Sequence, residues 1–188
     1  MTQRHKAVAR VREGLESGAL TSGDLTARRL AEYLGGTTSL LYHHFGSLDG
    51  FLRAVSDDAF EGFESSLSGF EAREATIDTF RDFAGNYITF AFERPTLYNL
   101  MFSRYLPATH SPSSVRGVDR RTPRGRVLRA LVTQFRRAGS VSAKDDARLF
   151  HGSLHGLVAL GTTPRVEDPS HAKEQALASA TRLVEALL

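Results

Sequence analysis

Apolar residues recur along this chain at intervals of three and four rather than two, which predicts helices throughout and no strand. The first predicted helix, over residues 3–17, places Val8, Val11 and Leu15 on one stripe. A second follows Thr26, a capping residue, with Ala27, Leu30, Ala31 and Leu34 turned inward and Arg28, Arg29 and Glu32 on the other side. Gly35 and Gly36 end it, because glycine takes positive φ at no Cβ cost. Thr37 or Thr38 is then placed to cap a third helix running to about His44. Leu41 and Phe45 face inward there. The outward side is Thr38, Ser39, Tyr42 and His43, short or flat hydrogen-bonding groups that let a helix backbone lie close to a groove floor.

Longer helices follow. One starts near Leu48 and runs into the sixties with Leu52, Val55, Ala59, Phe63 and Leu67 on one face. The next, over 74–93, carries Ile77, Phe80, Ala84, Tyr87 and Ala91 together, with Phe83 and Phe90 beside them, and Pro95 stops it. A short helix is expected over 96–104, a Pro/Ser-rich loop over 107–122, and a helix over 123–138. Two more close the chain, 143–160 with Leu149, Leu154, Leu157 and Val158, and 169–188 with Ala176, Ala180, Leu183, Val184 and Leu187.

The run from Leu25 to Phe51 resembles the DNA-binding domain of the TetR (tetracycline repressor) family of bacterial regulators. The residues that carry the resemblance are Thr26, Leu30-Ala31, Gly35, Leu41-Tyr42, His44-Phe45 and the segment from Ser47. Two positions depart from the family pattern: Gly36 stands where a Val is usual, and Leu48 where a Lys usually opens the fourth helix. A weaker likeness lies in Glu93 to Tyr98, Met101-Phe102 and Leu154-His155-Gly156-Leu157. These resemble a TetR ligand-domain subgroup named for a Trp-His-Gly signature, whose tryptophan this chain lacks.

The resemblance implies an all-α protein with a three-helix helix-turn-helix head over 1–47 and a larger helical body over 48–188 for ligand binding and dimerisation. It implies a homodimer, joined through the last two helices, that sets the third helix of each subunit into successive major grooves of a palindromic double-stranded operator. Thr38, Ser39 and His43 are then the candidates near base edges, and Thr37, at the start of the helix, is a further candidate for DNA contact. Thr26, Arg28, Tyr42 and His44 are the candidates for phosphate contact. An unidentified small-molecule effector is expected in the body. Its candidate contacts are Phe83, Tyr87, Phe90, Tyr98, Met101, Phe102, His151 and His155, from an aromatic supply that also includes Phe80, Tyr105 and Phe135.

Composition narrows the picture without redirecting it. The 188 residues suffice for a head and a sizeable core, and no stretch approaches the roughly twenty apolar residues of a membrane span. With no cysteine there is no disulfide or thiolate metal site, and the amphipathic beginning is not signal-like, so a cytoplasmic location is expected. Net charge is only +3, but it is unevenly spread: residues 112–137 hold eight Arg and one Asp. The Arg-rich stretch 116–129 reads as solvated loop, or as a contact for an acidic partner surface or flanking DNA. In the head, Arg4, Lys6, Arg10, Arg12, Arg28 and Arg29 are placed to reach phosphates or to remain solvated. His151 and His155 share one helix face, but no Glu or Asp lies between them as a zincin requires. No nucleophile elbow, P-loop or dinucleotide fingerprint occurs, so neither an enzyme nor a cofactor is expected. The expected function is a ligand-responsive transcriptional regulator of the repressor type. The alternative is an all-helical small-molecule binding or enzymatic protein whose head no longer serves DNA.

Overall fold

The computed structural model describes residues 2–67, 69–102, 123–163 and 166–188. Among them every regular element is helical: α1 Gln3–Glu16, a 3₁₀ turn Ser22–Asp24, α2 Ala27–Leu34, α3 Thr38–Phe45, α4 Leu48–Ser66, α5 Ile77–Glu93, α6 Pro95–Phe102, α7 Pro123–Arg137, α8 Ala143–Gly161 and α9 Pro169–Leu187. The expected loop over 107–122, Tyr105, and residues 116–122 of the Arg-rich stretch lie outside the described residues.

The chain folds as two compact units, 1–62 with 94–117, and 63–93 with 118–188. The head expected over 1–47 falls wholly within the first, which also takes in most of α4 and all of α6. In that unit α1 packs on α2 and α6, and α2 packs on α3. Val8, Val11, Leu15, Leu30, Ala31, Leu41, Leu52 and Val55 are buried, as the spacing predicts, and so is Phe51, which the predicted stripe of α4 leaves out. Phe60, Leu97, Tyr98, Leu100 and Met101 are buried as well. Pro95 both stops α5 and opens α6, since proline's fixed φ suits the first helical position and its missing N–H is no loss there.

The second unit is built on α5, α7, α8 and α9, with α9 against α5 and α8, and α8 against α7. Its centre is aromatic. The Phe80 ring lies 4.6 Å from Phe135, 5.6 Å from Phe70 and 5.8 Å from Phe150, while Phe83 lies 4.6 Å from Phe70. Tilted and edge-on pairs of this kind add about 0.5–1.5 kcal/mol each beyond area burial. One fully buried polar side chain crosses this core: the Gln134 amide donates to the backbone carbonyls of Phe70 and Arg73, tying α7 to the segment between α4 and α5. Ala176, Ala180 and Val184 of α9 are buried. Asp168 caps that helix by accepting from the backbone of Ser170 at 2.9 Å and His171 at 3.0 Å.

Two expectations about faces need correction. Ile77 is 40% exposed because α5 begins there rather than at residue 74, which leaves it on the first turn with little packed against it. Leu149 is 54% exposed, lying on the side of α8 away from the Phe150–Leu154–Val158 stripe.

Candidate nucleic-acid interface

The turn between α2 and α3 is made by two signals acting together. Gly35 adopts φ 72°, and its N–H donates to the carbonyls of Ala31 and Glu32, closing α2; the N–H of Gly36 donates to Ala31 at 2.9 Å. Thr37 then stands extended with its hydroxyl accepting from the Leu40 N–H at 3.4 Å, which opens α3. Thr26 caps α2 in the same manner, accepting from the Arg29 N–H at 3.3 Å. Ahead of α2, Asp24 accepts from the backbone N–H of Thr21 at 2.9 Å and from its hydroxyl at 2.8 Å. These bonds, followed by that of Arg29, hold the Asp24 carboxyl below the usual carboxylate range.

Only Leu41 of α3 is buried. Thr38, Ser39, Tyr42 and His43 are exposed together on its outer side, as expected, and Tyr42 is 46% exposed. Leu40, 48% exposed, joins that rim. Its apolar character hid it in a sequence reading that looked for polar groups. His44 is half-buried. Its Nε2 is shielded from solvent with no hydrogen-bond partner, and its ring stands edge-on to His43 and Phe45. Phe45 packs on Phe51, 4.6 Å between rings, with the Arg4 guanidinium 5.1 Å over its other side.

The basic groups sort into three kinds. Arg12 is committed internally: it donates to Asp58 at 2.7 Å and to both oxygens of Glu16. Burial opposes its charge, but the hydrogen bonds and charges of Glu16 and Asp58 outweigh that and raise its pKa. Arg12 is therefore an internal clasp rather than a surface cation, a correction to its sequence-based placement. Arg28 pairs with Glu32 at 2.9 Å, and Arg29 with Asp24 at 3.0 Å, both exposed and weak. Arg4, Lys6 and Arg10 have no carboxylate partner among the described residues.

The expected ligand contacts divide between the units. In the second, Tyr87 is fully buried, its ring 5.4 Å from Phe63 and edge-on to His151 at 5.7 Å; Phe83 stacks 6.4 Å from Tyr87, and Phe90 lies 4.8 Å from Phe63. His155 sits one turn beyond His151 on α8, half-buried. In the first, the Tyr98 and Phe102 rings lie tilted at 4.5 Å, Phe102 meets Phe60 at 5.1 Å, and Met101 is buried. Sequence reasoning missed the ion pair of Arg126, which grips Glu64 at 2.6–2.9 Å beside a cleft of about 340 Å³ lined by Phe70, Phe83 and Val127. The two partners stand 62 positions apart in the chain, beyond the reach of any pattern a local window detects.

Residues 80–187, more than half of the chain, match the family described as tetracyclin repressor-like, C-terminal domain. The chain belongs to this family of TetR-type transcriptional regulators, which are transcription factors rather than enzymes. No curated protein matches it. Its fold is similar to that of the TetR-family transcriptional regulator PfmR from Thermus thermophilus, at 18% identity and TM-score 0.64 over 95% of this chain and 97% of that one. It is also similar to a candidate TetR-family regulator from Mesorhizobium loti MAFF303099, at 14% identity and TM-score 0.63 over 99% and 98%. A third similar structure is RolR in complex with resorcinol, at 17% identity and TM-score 0.58 over 97% and 94%. No described helix is long and apolar enough to cross a membrane.

Proposed function

We propose that this regulator is a ligand-responsive repressor, acting as a homodimer that sets α3 of each subunit into the major groove of a palindromic operator. The observation that carries this reading is the division of α3: Leu41 holds it to the core, while Thr38, Ser39, Tyr42 and His43 stand outward behind a two-glycine turn. On this reading Thr38, Ser39 and His43 meet base edges, with Thr37 at the DNA-facing start of the helix. Tyr42, Thr26, Arg28 and the accessible edge of His44 meet phosphates. Arg28 is released from Glu32 at little cost because the pair is exposed. The head is then the segment 1–47 and the ligand-binding, dimerising body 48–188.

Apart from the head, Phe83, Tyr87, Phe90, His151 and His155 support binding of a small apolar effector in the second unit; the similar RolR structure holds resorcinol, a small aromatic diol. Such an effector releases the operator only to the extent that it favours the conformation that does not bind DNA. Selection of binding sites from genomic DNA, followed by fluorescence anisotropy on the selected duplex, tests the function. Affinity should fall steeply with salt, with a log–log slope of about −0.9 per phosphate contacted. A selected site bound no better than random duplex would overturn the reading.

A further inference from the structure

A cleft of about 310 Å³ lies in the first unit between α1 and the α2–α3 turn, and it shares Thr37 and His44 with the DNA-contact set proposed above. Its α1 wall is Gln3, Lys6, Ala7 and Arg10, residues that share one helix face by their spacing of three and four. Leu34, Leu40 and Phe45 give it an apolar floor. Gly36 also lines it, and a methyl group there would meet only Leu40 Cδ2, at 3.5 Å, so a larger side chain at this position would extend into open space.

The charges on this cleft are what mark its occupant. Arg12, Arg28 and Arg29 in the same unit are each matched by a carboxylate, whereas Lys6 and Arg10, both exposed at the cleft mouth, have none among the described residues. Arg10 rests only over the Tyr33 ring, 5.4 Å away. Two unmatched cations one helical turn apart, above an apolar floor, complement a molecule with an apolar body and one anionic end. We infer that this cleft is a binding site for a small amphipathic monoanion, an aromatic or medium-chain carboxylate, separate from the aromatic interior of the second unit. Leu40 belongs both to its floor and to the outer rim of α3, and Thr37 lines it at the α3 cap. Occupancy therefore competes with DNA; this second step rests on the function proposed above.

Titration calorimetry of the full chain with 1-naphthoate, with the uncharged 1-naphthamide as control, tests the site without DNA. Saturable binding of naphthoate is expected, at least tenfold weaker for naphthamide and for the surface variant Lys6→Ala/Arg10→Ala. Gly36→Leu fills the cleft and should abolish binding; its backbone is not in the left-handed region, and circular dichroism checks its fold. The double variant replaces exposed side chains and keeps the test valid if Gly36→Leu fails to fold. Naphthoate binding unchanged in the double variant, or retained in a folded Gly36→Leu, places the ligand elsewhere and overturns the inference. So does a double variant that loses only DNA affinity, uniformly across sequences, because the cations are then phosphate contacts. With an operator duplex, naphthoate should weaken anisotropy-measured binding of the natural chain at least fivefold. Naphthoate binding without that effect overturns the competition alone, whereas naphthoate binding by a chain that recognises no DNA overturns the proposed function and leaves the site standing.

Discussion

Tyr42 holds the most exposed aromatic position of α3, and nothing in the core depends on its ring. Tyr42→Ala should therefore weaken operator binding by about 1.5–3 kcal/mol, the scale of one hydrogen bond to a charged group, with helicity unchanged; anisotropy beside far-ultraviolet circular dichroism checks both. Asp24 gives a pH dependence of defined sign. Its folded pKa is depressed, so its contribution is present above the unfolded value of about 3.9 and is lost as pH falls through the folded value. Urea-melt stabilities of the natural chain and Asp24→Asn should thus differ above about pH 4 and converge in more acidic solution. At this scale the outward polar set of α3 was legible in the sequence, because a buried Leu41 and a capping Thr37 fix the phase of a short helix. The partners of Arg12 and Arg126 were not, because Asp58 and Glu64 reach them only through tertiary folding.

Helix ends followed local chemistry closely. Thr26, Thr37 and Asp168 cap, Gly35 terminates and Pro95 interrupts, each where its side chain or backbone freedom dictates. Faces were less secure where a helix is packed on several sides, as Leu149 shows: a 3.6-residue period admits more than one apolar stripe on α8, and the neighbours choose among them. The junction of α3 and α4 holds a constraint that periodicity does not reveal. Gly50 donates its N–H to the Ser47 hydroxyl at 2.9 Å, and a methyl group on it would come within 2.3 Å of the Phe45 carbonyl oxygen. Gly50→Ala must push the end of α3 off α4, at a cost of about 1–3 kcal/mol. Its thermal midpoint should drop by several degrees and its operator affinity should fall with it; an unshifted melt in differential scanning calorimetry would contradict this.

For the whole molecule, reading a palindrome requires two heads about 34–36 Å apart, and so a stable pairing of subunits. On α8, Leu149 is 54% and Leu160 75% exposed, with Leu160 beside a groove against Ala172, Ala176 and Ser179 of α9. Leu160→Arg should convert the proposed dimer to monomers by sedimentation velocity while the melt of each subunit stays close to the natural one, since this side chain contributes little to the intrachain core. Leu183 is a poorer probe, being half-buried next to the buried Val184, where a charge would disturb the subunit itself. The all-helical class and the family were legible because every long segment repeats at helical spacing and the α2–α3 turn has a recognisable chemistry. The division of α4 between two compact units was not, because one uninterrupted apolar stripe runs through Ala59, Phe63 and Leu67.

The burial of Tyr87 and Tyr98 has a practical corollary. In a chain without tryptophan or disulfides, the near-ultraviolet dichroic spectrum originates in phenol and phenyl rings alone, and these two phenols, clamped in asymmetric surroundings, both contribute to its tyrosine band. One sits in each compact unit, so loss of optical activity near that band, with helicity intact, registers loosening of either interior without any added label.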